Sequence, residues 1–167
     1  VTGADNFIGG LYEGTASESA SITINDVTYT YNNGWLVDGY KVLADGLLKK
    51  DNKYKVINAN GLVTLSGMTI KGNEVVTLGD DIDLNGVEFN GLYAFNPEPN
   101  NTFDGNGYTV SNWTNNSGAS DMGFFKSWVG TIKNVKFENC HLKTNGRSAI
   151  VAANTYCNIE NVEVNNS

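Results

Sequence analysis

Acidic side chains at alternate positions, Asp81-x-Asp83-x-Asn85-Gly86, are the residues whose types and spacing come nearest to ligand chemistry. Oxygen ligands two residues apart suit a hard divalent cation such as calcium. The twelfth position of that frame is Leu92, so the closing carboxylate is missing, and Ile82 and Leu84 fit a strand facing a core. Asp81, Asp83 and Asn85 are a metal candidate outweighed by a structural role, and no metal site is expected. A second acidic corner, Asp104-Gly105-Asn106-Gly107, reads as a tight turn needing positive φ.

Polysaccharide chemistry would need other residues. Lysis of acidic sugars requires a cationic clamp and a strong base, and hydrolysis requires two carboxylates roughly 5–10 Å apart. This chain holds one arginine, Arg147, and one histidine, His141, while Glu138, Glu160 and Glu163 are interspersed with Lys and Asn. No catalytic residue is assigned, and His141 reads as a solvated turn residue. Sugar contact by stacking is a separate matter. Tyr93, Phe95, Trp113, Phe124, Phe125 and Trp128 crowd around two irregular stretches, and exposed rings beside amides bind sugars by stacking and hydrogen bonding. Most of these rings are expected in the core, with Tyr93, Trp113 and Trp128 as the candidates for a sugar surface.

Charge and composition narrow the classes further. A net charge of −7 and a pI near 4.5 exclude nucleic acid and anionic membranes as natural partners, because both would repel the chain. No stretch approaches the roughly 18 apolar residues of a membrane span. Cys140 and Cys157 are too few for a disulfide framework and read as two small thiols. No cofactor is implied. The 25 Asn and 19 Gly beside 2 Pro describe a chain that turns often.

The elements that would position these residues come from a repeat. GTIKNVKFEN at 130–139 matches CNIENVEVNN at 157–166, an offset of 27 that pairs Ile132 with Ile159, Val135 with Val162 and Phe137 with Val164. The same step back reaches Tyr108, Val110 and Asn112, and a fourth copy at Ile82 and Leu84 fits an offset of 26. Each copy alternates apolar and polar residues, the period of a strand with one buried face. Such a repeat cannot bury its apolar row alone, whereas stacked copies can. The expected fold is therefore all-β: a parallel β-helix with about 27 residues per rung and equivalent residues about 4.8 Å apart. That register sets Lys133 over Glu160 and Lys136 over Glu163, and runs Asn112, Asn139 and Asn166 as an amide ladder at a corner.

Residues 1–50 break this rhythm and are expected to form a strand-rich extension before a β-helix over 51–167. SITINDVTYTY (21–31) alternates as a strand or half-hairpin, and Asn32-Asn33-Gly34-Trp35 supplies a turn. In the next segment Val42, Leu43, Leu47 and Leu48 suit a short helix interrupted by Gly46. A helix follows within NANGLVTLSGM, with Asn60 as its N-cap, placed to cover the open end of the apolar core. The opening Val1-Thr2-Gly3 and the stop directly after a corner lead to the expectation that the natural polypeptide extends in both directions.

Taken in order, DIDLNG (81–86), FDGNGYTVSNW (103–113), MGFF (122–125) and GTIKNVKFEN (130–139) resemble the β-helical surface modules of gut Bacteroidota, including those with so-called GLUG motifs. The resemblance covers Tyr54 to Ser167. Lys126 stands where that motif returns to glycine, and Ile150-Val151-Ala152 where a glycine pair is commoner. It implies a right-handed parallel β-helix, export to the cell surface or beyond, and a non-catalytic adhesin-like role toward a host or dietary glycan or another surface protein. A carbohydrate-binding module of a larger protein is the alternative, and a β-helical lyase or glycoside hydrolase ranks third.

Overall fold

A computed structural model of the chain describes residues 20–24, 27–31, 35–37, 40–94 and 100–167. Phe95, the excursion through Pro97 and Pro99, and the turn at 32–34 lie outside the described residues. The first part is an antiparallel meander of six short strands: β1 (Ala20–Ile24), β2 (Val27–Tyr31), β3 (Trp35–Val37), β4 (Tyr40–Ala44), β5 (Leu47–Lys50) and β6 (Lys53–Val56). The segment suited to a helix at Val42–Leu48 is instead the β4–β5 hairpin. Gly46 at φ 72° makes its turn, and Leu47 and Leu48 enter the core as part of a strand.

Helix α1 (Ala59–Ser66) follows, and its N-cap is Asn58, not Asn60. The extended backbone of Asn58 lets its Oδ1 accept from Gly61 N at 2.9 Å, while Asn60 Nδ2 reaches back to Asp45 Oδ2. Asn58 Nδ2 also donates to Asp45, so one side chain ties the helix start to the β4–β5 turn. Gly61 is required there because an added Cβ would lie 2.0 Å from Gly46 O. Leu62 and Leu65 then enter the core.

From β6 onward the pairing turns parallel and the strands stack as coils resembling a β-solenoid of about three turns. The elements are β7 (Val75–Leu78), β8 (Ile82–Asp83), β9 (Leu92–Tyr93), β10 (Asn101–Asp104), β11 (Thr109–Ser111), β12 (Thr114–Asn115), β13 (Phe125–Glu138), β14 (His141–Leu142) and β15 (Ala152–Asn165). One face stacks β6, β7, β10, β13 and β15 in that order. A second runs β8, β11, β13, and a third sets β12 on β14. His141 therefore sits in a short strand over Thr114, not in a turn, though its side chain is exposed.

The pairs expected from the repeat are direct neighbours: Val135 with Val162, Phe137 with Val164, Lys133 with Glu160 and Lys136 with Glu163. The offset is not constant. Ile82 lies beside Val110, 28 residues on, correcting the offset of 26, and Phe103 lies beside Ile132, 29 residues on. Corner length is the cause. Val110 lies seven positions after Phe103 through the Asp104–Gly107 turn, but Phe137 lies five after Ile132, where the single residue Asn134 at φ 53° bends the strand.

Aromatic rings fill the space the coils enclose. Phe124 is at the centre, with Phe89, Phe125 and Phe137 at 5.0 Å between centroids and Phe103 and Trp113 at 5.9 Å. All six are fully buried or nearly so. Most of the contacts are edge-to-face, the arrangement that ring quadrupoles favour.

Candidate functional site

The outer wall is organised by two amide ladders. In one, Asn161 Nδ2 donates to Asn134 Oδ1 at 3.1 Å and Asn134 Nδ2 donates to Asp104 Oδ1 at 3.0 Å. In the other, Asn139 Nδ2 donates to Asn112 Oδ1 at 3.5 Å and Asn112 Nδ2 donates to Asp83 Oδ1 at 2.9 Å. Asn112, Asn134, Asn139, Asn161 and Asn166 all have φ between 50° and 58°. Asparagine tolerates this left-handed conformation better than other residues with a Cβ, so one residue type serves both corner and ladder. The ladder step from Asn139 to Asn112 was expected from sequence, whereas Asn166, expected to extend it, shares the left-handed corner but makes no amide bond to Asn139. The parallel column at 134 and 161 falls within the repeat match of 130–139 on 157–166.

This arrangement absorbs the candidate cation ligands. Asp83 Oδ1 accepts from Asn112 Nδ2 and from Asn85 N, and these two bonds hold its carboxyl below its usual pKa. Asp81 Oδ1 accepts from Thr109 N at 2.7 Å. Both carboxylates act as hydrogen-bond acceptors for the next coil, and Asn85 contributes its backbone. Among the described residues no three His, Cys, Asp or Glu side chains gather. At Asp104 partial burial pushes the pKa up. The bonds from Asn134 and Asn106 and the Lys133 ammonium at 3.3 Å outweigh it and hold the group low.

The charge columns are real with one change of partner. Lys136 Nζ meets Glu163 at 3.3 Å as expected, but Lys133 Nζ turns to Asp104 on the preceding coil. Asp104 is better desolvated than Glu160, so the ion pair is less screened there. Glu160 is left without an ion pair among the described residues.

Two of the three sugar-stacking candidates are excluded. Trp113 and Trp128 are each 0 % exposed. Trp113 packs on Phe89 and Phe124 while its Nε1 donates to Phe89 O at 2.9 Å, and Trp128 packs on Phe103 and Phe125. Burying so much apolar ring area outweighs leaving it on the wall. Tyr93 is 52 % exposed, in line with its candidacy. Sequence reasoning passed over Tyr156, which is 84 % exposed in β15. The available signal was the repeat itself, which aligns Tyr156 with Val129 in an outward column.

Tyr156 borders an open groove shared with Asn100, Thr131, Thr155 and Asn158. Gly130 shapes it: at φ 133°, with an added Cβ only 2.0 Å from Asn101 O, no other residue lets β13 approach β10 so closely. Tyr93 lies level with Ser127 and Asn154, two positions along from Tyr156 on the same outward face, so the two Tyr backbones are roughly 12 Å apart. An exposed ring flanked by amides and hydroxyls can stack on an apolar sugar face and bond its hydroxyls.

Of the two cysteines, Cys140 is buried and Cys157 half-buried, and both are free. Burial pushes the Cys140 thiol up, away from the nucleophilic thiolate. No family model, curated protein or solved structure matches the chain. The fold class, a strand-rich stack of coils resembling a β-solenoid, is what the chain's own geometry defines.

Proposed function

We propose that this chain is a non-catalytic, secreted or cell-surface interaction module of adhesin-like type. The fold is read as a right-handed parallel β-helix with a nominal 27-residue coil and α1 covering its first turn. The 27-residue neighbours in four strand pairs and the strong right-handed preference of parallel crossovers support that reading. One observation carries the function. The carboxylates and amides that offered chemistry are bonded to one another along the stack, so they build a rigid polar wall rather than converge on a substrate. A stiff wall with its side chains held in register suits recognition of an extended partner.

The test combines location and activity. Protease treatment of intact cells carrying the full polypeptide should release this segment, and incubation with host and plant polysaccharides should yield neither unsaturated products nor new reducing ends. Protection from protease would remove the surface assignment, and turnover would overturn the non-catalytic one.

The groove beside Tyr156 favours one second reading, a carbohydrate-binding module. A glycan array should then show a signal that Tyr156→Ala reduces at least tenfold. No signal on the array removes this alternative.

A further inference from the structure

Two donors on the inner side of adjacent coils lack an acceptor. Asn101 is 1 % exposed and Trp128 0 %, and neither Asn101 Nδ2 nor Trp128 Nε1 has a hydrogen-bond partner among the described residues. Buried polar groups are nearly always paired, because an unmade bond leaves the full cost of taking the group out of water. Neither side chain can turn to find a partner. Asn101 Oδ1 accepts from Glu74 N at 3.1 Å, so a flipped amide would set donor against donor. The Trp128 ring is fixed edge-to-face by Phe125 at 5.1 Å and Phe103 at 6.4 Å between centroids.

The register brings the two donors to one place. Asn101 is level with Gly130, and Trp128 stands two residues before Gly130, so the two backbones are roughly 8 Å apart on neighbouring coils, within reach of an amide and an indole. Gly130 puts no side chain between them. β10 lies between β7 and β13, and β13 between β10 and β15, so both donors belong to coils paired on each side. Gly130 also lines the outer groove, yet both donor atoms are shut off from it.

We infer that Asn101 Nδ2 and Trp128 Nε1 share one internal water molecule, held as a fixed part of the fold beside the Gly130 crossing. The chemistry of the site selects this occupant. Two donors call for an acceptor atom, which rules out a cation. A buried anion would need an unpaired positive charge nearby, but the ammonium on this side of the core, Lys49, is already bound to the Glu74 carboxylate at 3.2 Å, one coil below Asn101. An enclosed site admits only a small neutral molecule, and two hydrogen bonds meet the lower limit for a buried water. The water ties β10 to β13 from inside, as the bond from Asn134 to Asp104 does from outside. This inference goes beyond the interaction-module reading and does not depend on it.

The test is a pair of water NOE and ROE spectra on the isotope-labelled full chain, in which opposite signs mark a bound water and equal signs mark proton exchange. Trp113 is the internal control, since its indole is equally buried but donates to Phe89 O. The Trp128 indole and the Asn101 side-chain amide should each show a bound-water cross-peak about tenfold stronger than any at the Trp113 indole. Trp128→Phe removes one donor and keeps an aromatic ring, and should weaken the Asn101 cross-peak by about threefold or more. An Asn101 cross-peak unmoved by that change would show that no water is shared, and wild-type spectra without a bound-water peak at either donor would remove the site. A crystal structure supplies a readout that needs no variant: one ordered oxygen within hydrogen-bond distance of both donors is expected. A protein acceptor on either donor, or an anomalous bromide peak there in crystals grown with bromide, would overturn the inference.

Discussion

Asn134 makes a corner and a ladder at once. Its φ of 53° is a conformation that costs a typical L-residue about 1–2 kcal/mol, and its amide gives one hydrogen bond to Asp104 and takes one from Asn161. Asn134→Ala should cost about 2–5 kcal/mol in urea unfolding, combining backbone strain with two bonds of about 0.5–1.5 kcal/mol each. Asn134→Gly should recover the strain component and remain destabilised by the ladder loss alone. Equal losses for the two variants would mean the corner does not need a left-handed residue. Asp104 adds a pH dependence with a definite sign. Its folded pKa lies below the unfolded one, so its contribution is complete above about pH 4 and is lost as pH falls through the lowered folded value. Unfolding free energy measured from about pH 4 down to about pH 2 should fall more steeply for the wild type than for Asp104→Asn.

Strands and helix are positioned by a few residues at close approaches. Gly130 lets β13 pass against β10, and Gly130→Ala would place a Cβ on Asn101 O in a backbone region hostile to side chains. A loss of at least about 2 kcal/mol is expected, seen as a melting temperature lower by roughly 5 °C or more. At α1, Asn58→Ala removes both the cap on Gly61 N and the bond to Asp45, and should cost about 1–2 kcal/mol, whereas Asn60→Ala should cost well under 1 kcal/mol. That contrast bears on how far the elements could be read in advance. Asn60, two residues before Leu62, was the sequence choice. The true start lies two residues earlier, where Gly61 packs on Gly46 O, a contact between hairpin and helix that no local pattern announces. The β4–β5 hairpin was likewise hidden, since Val42, Leu43, Leu47 and Leu48 satisfy helical spacing as well as strand pairing.

At the scale of the whole molecule, stability should grade along the stack. Coils of a solenoid interact with their nearest neighbours, so a coil covered on one side opens before one covered on both. In a polypeptide of residues 1–167 alone, amides of β13, paired on both sides, should exchange on the order of 100-fold more slowly than those of β15, paired there with β13 alone. Uniform protection across the two strands would mean that the stack unfolds only as a unit. Loss of the shared aromatic centre should be felt throughout: Phe124→Ala is expected to cost about 3–5 kcal/mol, because its ring meets those of five neighbours around the core.

The sequence by itself determined which residues stack. Ile132 over Ile159, Val135 over Val162, Lys136 over Glu163 and the asparagine column at 112 and 139 all follow from a strand period and a repeat, both local properties of the chain. Only the tertiary structure decided which side chains remain outside. Trp113 and Trp128 are buried and Tyr156 is exposed because the paths of the corners, at Asn134 and through Asp104–Gly107, set which way each wall faces. Corner length is not periodic, so neither the exposure of a ring nor Lys133's preference for Asp104 over Glu160 could be read from spacing. Both depend on how closely one coil lies against the next.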